Sequence, residues 1–162
     1  MGKVAVITFS VIIAFIIEFL LFHLGGRWAV PDLELLLVMF FNMYFGIRYG
    51  LVTAVLAGTI RDSFSIGTLG VNVCSFIVAA YMTTILKQYI YHMGSRLSRY
   101  ILIFIIIAIN AVVHYYLYRM LVGPLHPGQV FRFVFLPQAL LTLLVAPFVF
   151  EQLKKCVSKL FA

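Results

Sequence analysis

Residues 33–60 of the chain read LELLLVMFFNMYFGIRYGLVTAVLAGTI, and this stretch decides how many helices the protein has. It is a mostly apolar run of 28 residues with a break at Gly46-Ile47-Arg48-Tyr49-Gly50. A single helix through the break would place Arg48 well inside a membrane, which costs about 2.5–3.5 kcal/mol if the charge is unpaired. Two short helices with a turn at 46–50 let Arg48 reach water. The stretch therefore predicts two helices, with one long helix as the alternative.

The whole chain has the composition of a membrane protein. Of its 162 residues, 64% are hydrophobic and 10% are charged, and the mean hydropathy is +1.12. Soluble domains are about 45–50% apolar and 25% charged, so this chain has too few charges to cover a surface in water. Four further apolar runs, residues 4–24, 71–86, 100–118 and 130–150, are long enough to cross a bilayer. We expect the first run to remain as an anchor, because no small-residue cleavage site follows it.

These runs predict an all-α membrane protein, a compact bundle of about six transmembrane helices with five as the alternative, in a single domain over residues 1–162. The 12 Lys and Arg residues indicate its orientation. Six spans with a cytoplasmic N-terminus divide them eight inside to four outside, whereas five spans divide them seven to four and leave Arg48 in the membrane. Both interpretations place residues 87–99 and the basic C-terminal tail, residues 151–162, in the cytoplasm. The net charge of +7 therefore indicates topology and attraction to anionic lipid rather than nucleic-acid binding.

Small residues recur every four positions in the same stretch and end at a carboxylate: Gly46, Gly50, Ala54, Gly58 and Asp62. Positions four apart lie on one face of a helix, and small side chains there let another helix approach closely. If the first two glycines form the turn, Ala54 and Gly58 still form a pair that leads to Asp62. The pattern predicts a tight seam between helices.

A polar, glycine-containing segment, Arg61-Asp62-Ser63-Phe64-Ser65-Ile66-Gly67-Thr68-Leu69-Gly70, follows the seam. It cannot be exposed to lipid, because its backbone groups would be unpaired there. Asp62 is expected to accept hydrogen bonds from the backbone or hydroxyls of this segment, or to pair with Arg61 or a more distant base. Proton or ion translocation is the alternative role, but one acid without a relay of partners argues against it.

Other polar residues lie within the apolar runs. Glu18, in the first run, is expected to be protonated or paired, with His23 or Arg27 as its partner. Asn110 and His114 are four residues apart and predict hydrogen bonds between helices; together with Glu18 they could line a small-molecule cavity. No nucleophile elbow, phosphate-binding loop, zinc-ligand spacing or paired-carboxylate motif is present. We therefore expect no enzymatic activity, no cofactor and no metal.

Between residues 31 and 70 the chain resembles the MreD family, the rod shape-determining membrane proteins of bacteria. The resemblance rests on Pro31-Asp32 before the second apolar stretch, on the glycine series, and on Gly58-Thr-Ile-Arg-Asp62-Ser-Phe-Ser-Ile-Gly67-Thr-Leu69-Gly70. Pro147, followed by a basic C-terminal end, also fits. Arg61 departs from the family pattern, which usually has an apolar residue before the aspartate.

The resemblance implies a non-enzymatic scaffold in the bacterial plasma (inner) membrane, with both termini in the cytoplasm. Such a protein binds MreC directly and, in the wider complex, helps to couple MreB filaments to peptidoglycan synthesis by RodA and a class B penicillin-binding transpeptidase. Pro31 would start the second helix with Asp32 near its positive end. Gly58, Gly67 and Gly70 would shape a bend held by Asp62. The partner's helix would lie on the first or last span or on the small-residue stripe.

Two other functions are compatible with the sequence. The first is the substrate-binding subunit of an energy-coupling-factor vitamin transporter, which is also a bundle of about six helices and to which the MreD fold is expected to be similar. The second is a small proton-coupled carrier that uses Asp62 or Glu18.

Overall fold

The structure, a computed structural model, describes residues 2–25, 30–64, 70–90, 96–121, 123 and 136–161. These residues form six helices and no strand: α1 (Lys3–Gly25), α2 (Leu33–Phe45), α3 (Ile47–Phe64), α4 (Val71–Ile90), α5 (Arg96–Leu121) and α6 (Leu136–Phe161). The prediction of an all-helical protein is confirmed. By length and composition, α1, α4, α5 and α6 are able to cross a membrane, whereas α2 is a shorter apolar helix.

The predicted break in residues 33–60 is present, and it is shorter than expected. Gly46 alone separates α2 from α3, with φ = 91°, a conformation that glycine adopts without steric cost. Its N–H donates to Asn42 O at 3.0 Å and so closes the last turn of α2. Gly50, which we assigned to the turn, is instead a helical residue of α3. Arg48 is exposed in the first turn of α3, as the two-helix interpretation required.

α2 lies at the centre of the bundle and packs against α1, α3, α4 and α6. Its first ten residues are all buried, because the helix is apolar on almost every face. Phe40 packs edge-to-face on Phe150 of α6, with ring centroids 5.5 Å apart. Asn42 is a polar exception. It donates to Ala80 O of α4 at 2.5 Å and accepts from Thr84 Oγ1 at 3.0 Å, so both groups of its amide are paired.

Successive helices from α1 to α4 run in opposite directions, which defines two ends of the bundle. At the Gly46 end, Lys3 Nζ of α1 lies 5.3 Å from the centre of the Phe45 ring, and Lys87 Nζ of α4 donates to Met43 O at 2.6 Å. At the opposite end, which we call the Arg61 end, α1 and α3 finish and α2 and α4 begin.

α6 runs parallel to α2, because Thr142 contacts Asp32 and Phe150 contacts Phe40. It therefore finishes at the Gly46 end, where α1 begins. The beginning of α1 and the end of α6 thus lie at the same end of the bundle. This is the arrangement expected when a chain crosses the bundle an even number of times.

The last helix, α6, continues beyond the end of the predicted span, residues 130–150. Pro147 lies inside α6 without ending it. Residues 151–161 of the predicted basic tail form the last turns of the same helix. Leu153 and Val157 pack against the core, and the two lysines between them are exposed. Residues 130–135, the beginning of the predicted span, lie outside the described residues.

Candidate functional site

The small-residue series lies inside the bundle, where α3 meets α2 and α4. Gly50, Ala54 and Gly58 are buried. A Cβ atom on Gly50 would lie 2.6 Å from Asn42 Cβ, and one on Gly58 would lie 2.5 Å from Val73 Cα. Since real Cβ atoms do not approach other atoms so closely, neither position has room for a side chain. α2 and α4 already occupy the seam, so the stripe is not open to a partner's helix, contrary to one of our expectations.

Asp62 closes the connection between α3 and α4. Its Oδ1 accepts hydrogen bonds from Asn72 N at 3.1 Å and Asn72 Nδ2 at 2.8 Å, and its Oδ2 accepts from Gly70 N at 2.9 Å and Val73 N at 3.3 Å. The backbone N–H groups at the start of a helix have no partner within it, and the positive end of the helix dipole favours a carboxylate. Of the roles that the sequence left open, Asp62 thus takes that of a backbone cap. Gly67 lies outside the described residues.

Arg61, the neighbour of Asp62, faces three carboxylates from α1 and α2. Its Nη1 donates to Asp32 Oδ1 at 2.8 Å and lies 3.9 Å from Glu34 Oε2, while its Nη2 lies 3.7 Å from Glu18 Oε2. The guanidinium also lies 5.7 Å from the centre of the Phe76 ring on α4. We call Glu18, Asp32, Glu34 and Arg61 the Arg61 cluster. The three carboxylate side chains are 8% exposed or less, and that of Arg61 is 24% exposed.

The Arg61 cluster also organises the N-terminus of α2. Asp32 is the N-cap, and its Oδ1 accepts from Leu35 N at 3.1 Å. Glu18 Oε1 accepts from Glu34 N at 3.0 Å, so a side chain of α1 satisfies a second free N–H of this helix. The N–H of Asp32 donates to Thr142 Oγ1 of α6 at 2.9 Å. Four helices, α1, α2, α3 and α6, are therefore tied together at the Arg61 end.

Two of the expected placements differ from the structure. Pro31 does not start α2; it lies two residues before the first helical residue, and the residue after it takes the cap. Glu18 contacts Arg61 rather than His23, whose Nδ1 lies 3.3 Å from a backbone carbonyl one turn earlier in α1. Arg27, the other expected partner of Glu18, lies outside the described residues.

The predicted pair on α5 makes no hydrogen bond between helices in the part of the chain that the structure describes. Asn110 is buried, and its Oδ1 has no hydrogen-bond partner there. His114 stacks on Tyr118, one turn further along α5, with ring centroids 6.4 Å apart. A groove of about 280 Å³ between α3 and α4 is lined by Thr59, Asp62, Ser63, Gly70, Val73 and Cys74. The groove includes neither residue of the pair, nor Glu18.

Sequence reasoning missed two members of the cluster, Arg61 and Glu34, and Thr142, which accepts from the backbone of a third member. A signal for the first was present. In a hairpin that turns at Gly46, Asp32 lies 14 residues before the turn and Arg61 lies 15 after it, so the two come opposite each other. Nothing in the sequence marks Thr142.

The site connects helices through buried charged side chains, and it does not resemble a metal centre. Within the described ranges, no three His, Cys, Asp or Glu side chains are arranged to hold a metal ion. Ionisable residues within membrane helices are costly, pair with one another and mark functional sites. The Arg61 cluster is therefore the candidate site.

Comparison with known proteins gives one match. The family model described as rod shape-determining protein MreD matches residues 2–156. Neither the comparison with curated proteins nor that with solved structures gives a match. The match covers nearly the whole chain, whereas the motif behind the resemblance covers about 40 residues.

Proposed function

Because the chain belongs to the MreD family of rod shape-determining membrane proteins, we propose that it is a non-enzymatic scaffold of the bacterial cell-elongation machinery that binds MreC directly. In the wider complex it helps to couple MreB filaments to peptidoglycan synthesis by RodA and a class B penicillin-binding transpeptidase. The observation that carries this proposal is the family match over residues 2–156.

The way the helices are tied together supports a scaffold role. The seam along α3 is closed by contacts too tight for any side chain, and the Arg61 cluster and Asp62 hold the helix ends. A bundle held in one geometry can keep partner helices at fixed positions. We also propose that the fold of the protein is similar to that of the substrate-binding subunits of energy-coupling-factor transporters, which are also bundles of about six helices.

The first and last helices offer the most open surface to a partner's transmembrane helix. α1 and α6 are the least buried of the four long helices. On α6, Leu140, Leu144 and Phe148 are 65–75% exposed and recur every four residues, so they form one apolar stripe. On α1, Ile16 and Leu20 are about half exposed and four residues apart. Either face suits a helix that packs through apolar contacts in lipid.

We also propose that the Gly46 end faces the cytoplasm, with the protein in the plasma (inner) membrane and all six helices crossing it. Eight of the 12 Lys and Arg residues belong to segments at that end: Lys3, Arg48, Lys87, Arg96, Arg99, Lys154, Lys155 and Lys159. Of the other four, Arg61 is in the buried cluster, which leaves three for the opposite side. This asymmetry is typical of a positively charged inner side.

Co-purification tests the proposal. The tagged chain is isolated from its native membrane, and its partners are identified by mass spectrometry; MreC is expected among them. Leu144→Trp on α6 and Leu20→Trp on α1 test the two faces, with Phe104→Trp on the exposed face of α5 as the control. One of the first two should lower MreC recovery several-fold and disturb rod shape in complemented cells, while the control does neither. Absence of MreC from a folded, wild-type preparation contradicts the proposal.

Two results would favour the other functions. Nanomolar binding of a vitamin by the purified chain would indicate a transporter subunit. Loss of substrate uptake in Asp62→Asn or Glu18→Gln, with assembly intact, would indicate a proton-coupled carrier.

A further inference from the structure

The Arg61 cluster contains more negative than positive groups. Three carboxylates face one guanidinium, which is a formal excess of two negative charges when all four groups are ionised. Among the described residues, Arg61 forms a hydrogen bond only with Asp32, at 2.8 Å. Glu18 and Glu34 lie 3.7 and 3.9 Å from its nitrogens, which is beyond hydrogen-bond distance. One guanidinium thus faces three carboxylates and donates a hydrogen bond to one of them, that of Asp32.

A second observation concerns Glu34 alone. Its side chain is 0% exposed, and neither of its carboxylate oxygens has a hydrogen-bond donor among the described residues. A buried carboxylate without a donor is costly, and such groups in native proteins usually meet an ion, a water molecule or a ligand. The carboxylate of Glu34 points toward Arg61, so the missing donor belongs to this cluster.

We propose that the Arg61 cluster is a binding site for one further cationic group, a primary ammonium or a guanidinium. The cation pairs with Glu18, whose side chain is 8% exposed against 0% for Glu34, beside Arg61. Because Arg61 then no longer has to neutralise Glu18, its guanidinium moves within hydrogen-bond distance of Glu34, from which it otherwise lies 3.9 Å away. Each carboxylate then has a charged donor, and charge-assisted hydrogen bonds of this kind are the strong ones.

The chemistry of the site favours a donor of N–H groups over a metal ion. The carboxylates are spread around a guanidinium, and no metal-binding arrangement occurs among the described residues. Ammonium and guanidinium groups donate in several directions and reach separated acceptors. Two sources supply this chemistry: the ammonium of a lipid headgroup and a basic side chain of another protein chain. The inference does not depend on the proposed scaffold role.

The test measures thermal unfolding of the full chain in nanodiscs of phosphatidylglycerol, a lipid without an ammonium group. Methylammonium is the probe, and tetramethylammonium, which has no N–H group, is the control at equal ionic strength. At ten times its dissociation constant, methylammonium should raise the melting midpoint by about 3–6 °C, with saturation. Glu34→Gln and Glu18→Gln should abolish the rise, while Glu151→Gln, an exposed acid at the Gly46 end, should keep it.

Two results would overturn the proposal. The first is no rise with the wild-type chain; a rise that then appears in Arg27→Gln or Arg132→Gln would mean that the chain itself supplies the cation. The second is an equal rise with tetramethylammonium or with Glu34→Gln. If the glutamine variants do not fold, the comparison of methylammonium with tetramethylammonium on the wild-type chain still tests the proposal.

A second set of nanodiscs distinguishes the sources. If phosphatidylethanolamine raises the midpoint in the same variant-dependent way and removes the response to methylammonium, the cation comes from a lipid headgroup. If methylammonium still acts in phosphatidylethanolamine, the lipid headgroup does not occupy the site, which leaves a basic side chain of another chain as the source.

Discussion

Replacing Asp62 with alanine should destabilise the bundle at the connection between α3 and α4. The carboxylate accepts four hydrogen bonds, and two of the donors, the backbone N–H and the side-chain amide, belong to Asn72. Asn72 is 7% exposed, so water cannot replace the lost acceptor. Each buried donor left unpaired costs about 1–3 kcal/mol. The N–H groups of Gly70 and Val73 are partly exposed and contribute less.

The expected loss is therefore about 2–6 kcal/mol, which lowers the melting midpoint of a chain of this size by at least about 4 °C. The assay is thermal unfolding in detergent or nanodiscs. Ser63→Ala is the matched control, because Ser63 is exposed and, within the described part of the chain, its hydroxyl bonds only to a carbonyl of its own helix. Asp62→Asn keeps one acceptor oxygen and should fall between the two.

A midpoint for Asp62→Ala within about 1 °C of the wild type would refute this reasoning, since it would mean that the four hydrogen bonds contribute nothing net. Unchanged co-purification of the variant with MreC, together with unchanged rod shape in complemented cells, would show that the cap is also dispensable for assembly.

Two further substitutions test the seam and the cluster. Gly58→Ala should lower the melting midpoint because its Cβ would lie 2.5 Å from Val73 Cα, and overpacking of this kind costs about 1–3 kcal/mol. Thr59→Ala, which changes an exposed residue of the same helix, is the control. Equal midpoints for the two variants would contradict tight packing at the seam. Arg61→Gln should cost about 3–5 kcal/mol because it leaves three buried carboxylates without their cation. Arg119→Gln, an exposed arginine, controls for loss of charge alone, and an equal effect of the two would rule out a structural role for the cluster.

The sequence predicted the features that depend on composition and local spacing. A membrane protein followed from hydropathy, because so few charged side chains cannot cover a surface in water. The division of residues 33–60 followed from Arg48, since an unpaired charge is too costly in the membrane. The tight seam at Gly50 and Gly58 followed from the four-residue spacing, which places small side chains on one helix face whatever the partner helix is.

The tertiary structure decided which polar groups meet. The sequence suggested Arg61 as a partner of Asp62, and Glu18 as a partner of residues near it in the chain. Their contact spans α1 and α3 and depends on the rotation and register of both helices about α2, which local patterns do not encode. Glu34 was missed for the same reason, because a lone acid in the first turn of a helix looks like an ordinary favourable charge. Only when four helices converge at the Arg61 end does it become a buried carboxylate to which no described residue donates a hydrogen bond.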